Sequence, residues 1–170
     1  MRSAHVNLRI EGADAEAAFD RIGDFARYSQ LTDVVRDVKV HRLSDEEETS
    51  EWQVYFRNGI LRWTETDRFD RADLTISFEQ IDGDFAEFSG NWRISADGSG
   101  CLVAFGAEFD FGIPSLAGIL DPVAERVFKE TIARVVIGLF DGATVLGDEP
   151  VARAVAAAAG KPAPSLSALG

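Results

Sequence analysis

The opening segment "HVNLRIEG" sets Val6, Leu8 and Ile10 at every second position, the period of a strand with one buried face. "DAEAAFDRIG" then changes to helical spacing, with Asp14 as N-cap, Ala17, Ala18 and Ile22 on one stripe, and Gly23 as the stop. "DFARYSQL" reads as a second short helical turn. From residue 34 to 112 alternation returns in six segments: "VVRDVKVHRL", "EWQVYFR", "ILRWTETDRF", "LTISFEQI", "FAEFSGNWRIS" and "CLVAFGAEFDFG". Between them lie the acidic turn "SDEEETS", Asn58-Gly59, "DGD" and "ADGSG", which are hairpin signals, so the six strands form an antiparallel meander.

After Pro114 the period becomes 3.6. Asp121 is placed as N-cap and Pro122 at the first helical position; Val123, Val127, Phe128, Ile132, Val135, Val136 and Leu139 then share one face. Glu125, Arg126, Lys129, Glu130 and Arg134 take the other face, and the helix is expected to run to about Leu146, where Gly147 and Pro150 end it. Residues 149–170 are rich in Ala, Pro and Ser and read as a flexible extension, within which "VARAVAAAA" can form a short helix. The chain thus divides into a domain over residues 1–148 and a tail over 149–170. The order is α+β: a curved seven-stranded antiparallel sheet wrapped around one long C-terminal helix, with two short helices after the first strand.

Composition narrows the setting. The 170 residues are 46% hydrophobic with 12 Phe and 3 Trp, enough apolar material to fill a core and line a pocket. A net charge of -12 repels phosphate backbones and anionic headgroups, so nucleic acid and membrane surfaces are not expected partners. No apolar run reaches the ~18 residues of a membrane span. Cys101 is the single cysteine, which fits a reducing compartment and a cytoplasmic monomer or homodimer. His5 and His41 stand far apart without a Cys/His cluster, and phosphate-cradling glycine motifs are absent, so neither a metal nor a cofactor is called for.

Alternation also outlines a binding site. Trp52, Val54 and Phe56 share a face of the third strand; Ala86, Phe88, Gly90, Trp92 and Ile94 of the sixth; Cys101, Val103, Phe105, Ala107, Phe109 and Phe111 of the seventh. Gly90 and Ala107 are small where their neighbours are large, a gap that suits a planar hydrophobic ligand. In "GILRWTETDRFD" the apolar face carries Leu61 and Trp63 and then two acids, Glu65 and Asp67. Turned inward, they form a carboxylate pair roughly 6–7 Å apart along the strand, with burial raising the pKa of one toward neutrality. The alternatives are pairing with an inward Arg36 or Arg93, or a bulge that turns both acids to water.

The run "DFARYSQL", "LRWTE", "FSGNWRI" and "AEFDFGIP" resembles the START-like, or SRPBCC, superfamily over about residues 5–146, within it the polyketide cyclase/dehydrase and coenzyme-Q-binding-like branch. The resemblance implies a helix-grip fold with a ligand cavity between sheet and helix. In the aromatase/cyclases of this group the fourth strand points a Trp, a Ser and an Arg into the cavity; here they fall on Trp63, Glu65 and Asp67. Aromatic cavity positions fall on Tyr28, Trp92 and Phe105. The expected ligand wall is Trp52, Phe56, Trp63, Phe88, Trp92, Phe105 and Phe128; two acids stand where those enzymes carry Ser and Arg, so Glu65 and Asp67 are acid/base candidates on their inward placement and not by the resemblance, with Tyr28 as donor to a developing enolate. Two functions share that cavity: a cofactor-free cyclase or dehydratase of a polyketide-like molecule, and a carrier or sensor of a lipid, quinone or aromatic metabolite.

Overall fold

In the computed structural model, which describes residues 1–159, alternation along β1 (Arg2–Glu11) buries Ala4, Val6, Leu8 and Ile10. The Asp14 carboxylate accepts the Ala17 N–H at 3.1 Å and starts α1 (Ala15–Ile22), whose Ala18, Phe19 and Ile22 are buried. A 3-10 turn at Phe25–Arg27 leads into the one-turn α2 (Tyr28–Leu31). Six strands follow: β2 (Val35–Arg42), β3 (Glu47–Phe56), β4 (Gly59–Asp70), β5 (Thr75–Gly83), β6 (Glu87–Asp97) and β7 (Gly100–Asp110). From β3 onward each pairs antiparallel with its predecessor, β2 is an edge, and β1 pairs with β7. The long helix α3 (Ala117–Leu139) lies over the buried face, sinking Phe128, Thr131, Val135, Val136 and Leu139 into the core. This is the helix-grip architecture.

Two expectations are corrected. First, α3 stops at Leu139 rather than Leu146, and β8 (Ala143–Leu146) follows, pairing with Asn7–Ile10 to make an eight-stranded sheet in the order β2-β3-β4-β5-β6-β7-β1-β8. The buried Phe140 is extended, and Gly142 lets the chain approach the Glu11 backbone, where a Cβ would lie 2.8 Å from a carbonyl oxygen. Second, α3 begins at Ala117, so Pro122 sits inside the helix; the carbonyl it leaves without an N–H belongs to the exposed Gly118, which water can serve. The short helix that "VARAVAAAA" allowed is α4 (Glu149–Ala159), with Val151 and Val155 buried and Lys129 of α3 held 3.5 Å from Asp148. Residues 160–170 of the expected tail lie outside the described residues.

Two local features aim the site. Between Thr64–Asp82 and Glu65–Gln80 the β4–β5 register slips by one residue, and the odd residue is Ile81 of β5, 60% exposed. Because the bulge belongs to β5, alternation along β4 runs on unbroken. Gly83, with φ of +151°, then passes within 2.5 Å (measured from a would-be Cβ) of the Trp63 backbone, an approach no other residue allows.

Candidate functional site

Register places the site. Across β3 and β4, Trp52 faces Trp63, Ser50 faces Glu65 and Glu48 faces Asp67, all on the buried face. The two indoles stack with centroids 5.8 Å apart and planes 2° from parallel. Each sends its N–H along its own strand toward the polar pairs: Trp63 Nε1 donates to Glu65 Oε1 at 2.7 Å, and Trp52 Nε1 donates to Ser50 Oγ at 2.8 Å. The Ser50 hydroxyl donates onward to Asp67 Oδ2 at 2.5 Å. Aromatic edges and carboxyl groups thus form one hydrogen-bonded unit on two strands.

Both carboxylates point inward: Glu65 is 3% exposed and Asp67 0%. Arg36 bonds to Gln53 at 2.7 Å and Arg93 is exposed, so neither neutralises them. Burial is the main force lifting Glu65 well above the usual carboxylate range; the neighbouring Asp67 carboxyl adds to this, against the Trp63 bond. Burial also raises Asp67, while the neighbouring Glu65 and the Ser50 bond hold it down. Of the two, Glu65 is the one held more strongly toward its protonated form, because two charges in one dry site repel.

A third acid belongs to this group. Glu48, read in the sequence as part of a solvated acidic turn, is 3% exposed and faces Asp67. Burial first, then Asp67, push its carboxyl up to about 7, against Arg42, whose Nε lies 4.0 Å away; Asp24 adds a smaller push in the same upward direction. Glu48 Oε1 and Asp67 Oδ1 are both buried without a hydrogen-bond partner. The signal for Glu48 was present, since alternation carried back from Trp52 through Ser50 reaches it.

Behind the indole pair is a cavity of about 60 Å³ bounded by Trp52, Trp63, Glu65, Phe88, Trp92 and Phe105 on the sheet side and by Val127, Phe128, Thr131 and Ile132 of α3. Such a volume holds a few waters, against roughly 300–1,000 Å³ for a site that receives a drug-sized ligand. The expected gap at Gly90 is occupied: Phe78 faces it across β5–β6, and a Cβ at Gly90 would lie 2.5 Å from the Phe78 ring. Phe78 stacks on Phe105 at 5.8 Å, and Phe85 stacks on Phe88 at 4.8 Å.

Two expected site residues stand off the cavity, and a third borders it with its donor already used. Phe56 stacks on Phe111 at 5.8 Å near the β3–β4 turn and does not border the cavity, because β3 carries it past the end of the indole pair. Asp67 is one pleat beyond the cavity wall, behind Glu65. Tyr28 borders the cavity, but its hydroxyl donates to the Ile22 carbonyl, so its proton is committed to the backbone and not offered to an enolate. On the other side of the carboxyl group, an outer cleft of about 820 Å³ opens between α1 and the ends of β2 to β4, with Asp24, Arg42, Glu48, Arg68 and Arg71 on its walls. Phe25 borders both spaces.

Comparison with known proteins agrees with this architecture. A protein from Thermus thermophilus superposes with a TM-score of 0.72 at 20% identity, over 92% of this chain and 98% of that one. The Zhui aromatase/cyclase from a Streptomyces species gives 0.60 at 18% identity, over 91% and 94%. A START superfamily protein from Mycobacterium smegmatis gives 0.66 at 15% identity, over 82% and 95%. No curated protein sequence matches significantly. The family model described as polyketide cyclase / dehydrase and lipid transport matches residues 12–136, and the chain belongs to that family.

Proposed function

We propose that the chain binds a hydrophobic aromatic or polyketide-like small molecule between its sheet and α3, and that Glu65 acts on it as general acid and base in a cyclisation and dehydration. One observation carries this reading: a buried carboxyl group, lifted well above the usual carboxylate range by burial, stands on the wall of a largely apolar, aromatic-lined cavity. An apolar wall supplies binding and a single polar group supplies orientation. As a carboxylate, Glu65 removes a proton alpha to a ketone; as an acid, it protonates the hydroxyl that leaves as water. Trp63 fixes the direction of the carboxyl through its 2.7 Å bond. The neighbouring Asp67 carboxyl adds to the lift on Glu65.

Because the cavity holds about 60 Å³, the ligand makes its own room. Four wall residues, Val127, Phe128, Thr131 and Ile132, ride on α3, so a small outward shift of that helix enlarges the space without breaking the sheet. A carrier would use the same wall with no proton transfer, and Glu65 separates the two. Native mass spectrometry of the freshly purified chain and of Glu65→Gln is the test. The variant should retain a molecule heavier than the wild-type adduct by the water lost in dehydration; identical adducts on both chains would reject the enzyme and leave the carrier.

A further inference from the structure

The three buried acids join two spaces that the fold otherwise separates. Glu65 borders the inner cavity, Glu48 borders the outer cleft, and Asp67 borders neither. Asp67 is opposite Glu48 in the β3–β4 register and one pleat from Glu65 on the same face of β4. We propose that Glu48, Asp67 and Glu65 form a proton relay between water in the outer cleft and the apolar inner cavity, with Glu48 as its entrance and Glu65 as its inner end. The proposal rests on the reading of Glu65 as the acid of the cavity and assigns Glu48 a positioning role, since it touches no ligand.

Geometry carries the assignment. Directly opposed residues of an antiparallel pair have Cβ atoms roughly 4.5–5.5 Å apart, which brings the Glu48 and Asp67 carboxyl groups within reach of one another. Glu65 and Asp67 are successive inward residues of β4, one pleat apart. One oxygen of Asp67 is fixed by Ser50, while its other oxygen and Glu48 Oε1 are buried acceptors with no donor. Such orphaned acceptors are costly, and a proton passing between them satisfies both. Facing Glu48 are Arg42 from β2, Asp67 from β4 and Asp24 ahead of the 3-10 turn; facing the inner pair are Trp63, Ser50 and Tyr28, whose hydroxyl is committed to Ile22. Among the described residues no Lys or Arg forms an ion pair with Glu65 or Asp67, so a proton is the counter-charge at hand.

The transfer balances. A dehydration consumes no net proton, since Glu65 gives one to the departing hydroxyl and takes one from the carbon alpha to the ketone. The relay sets Glu65 between these strokes: a Glu65 left as carboxylate is refilled when protonated Glu48 passes its proton to Asp67, Asp67 passes one to Glu65 and Glu48 takes a replacement from cleft water, and a proton that Glu65 must shed leaves by the reverse path.

Stopped-flow pH jumps on the full, ligand-free chain test the relay through tryptophan emission, because Trp63 donates to Glu65 and Trp52 donates to the Ser50 that holds Asp67. Glu48→Gln should slow the relaxation by about tenfold or more with near-ultraviolet circular dichroism unchanged, and Glu48→Asp should recover most of the rate. A folded Glu48→Gln that relaxes at the wild-type rate overturns the proposal. In the wild-type chain alone, relaxation should slow as pH rises through about 7, where Glu48 loses its proton, and a rate indifferent to pH would overturn it without any variant. No ligand takes part, so this result stands apart from the mass comparison that decides what Glu65 does to a bound molecule.

Discussion

Glu48 makes stability at the residue scale depend on pH. Its folded-state pKa of about 7 lies above the usual 4.5, so the native chain binds the extra proton, and the stabilisation is full below 4.5 and lost as pH rises toward 7. That interval corresponds to about 3 kcal/mol. Removing the titration by Glu48→Gln should leave the variant's stability at pH 8 nearer its value at pH 5 than the wild type's is, by about 2–3 kcal/mol in urea unfolding. Equal slopes for the two chains would mean that Arg42, 4.0 Å away, already holds Glu48 as a stable anion. Glu65 and Asp67 were legible as candidate inward acids because their strand alternates, whereas Glu48 was hidden by the charges beside it.

Elements show where local rules held and where pairing overrode them. The β3–β4 connection is the two-residue turn Arg57-Asn58, with Arg57 at φ of +56°, rather than a turn centred on Asn58-Gly59, since Gly59 already pairs with Phe56. A positive φ at the first turn position favours glycine. Arg57→Gly should therefore stabilise the hairpin by about 1 kcal/mol, read as a rise in thermal midpoint, and a fall would show that the Arg57 side chain contributes more than its backbone costs. The sequence of β8 also held its own signal: "FDGATVLG" puts an Asp-Gly turn before a short β-branched run, but helical spacing through Leu139 drew the reading past it.

For the whole molecule, the closing helix α4 is part of the packed unit up to Ala159. Val151 and Val155 are 3% and 4% exposed, so replacing both with alanine should cost about 3 kcal/mol in denaturant unfolding; no loss would mean that α4 is only loosely attached. Alternation, turn residues and the 3.6 period were enough by themselves to determine the α+β order and the apolar faces of β3, β4, β6 and β7, because these are properties of neighbouring residues; whether Glu65 and Asp67 stayed inward was left open by the sequence and settled by the bulge lying on β5. Only the tertiary structure decided that Phe78 fills the space over Gly90, that Phe56 stacks outside the cavity and that the cavity shrinks to about 60 Å³. It also set Glu48 opposite Asp67. Each of these depends on which residue of one strand meets which residue of another, and a one-residue change of register would move every side chain to the other face.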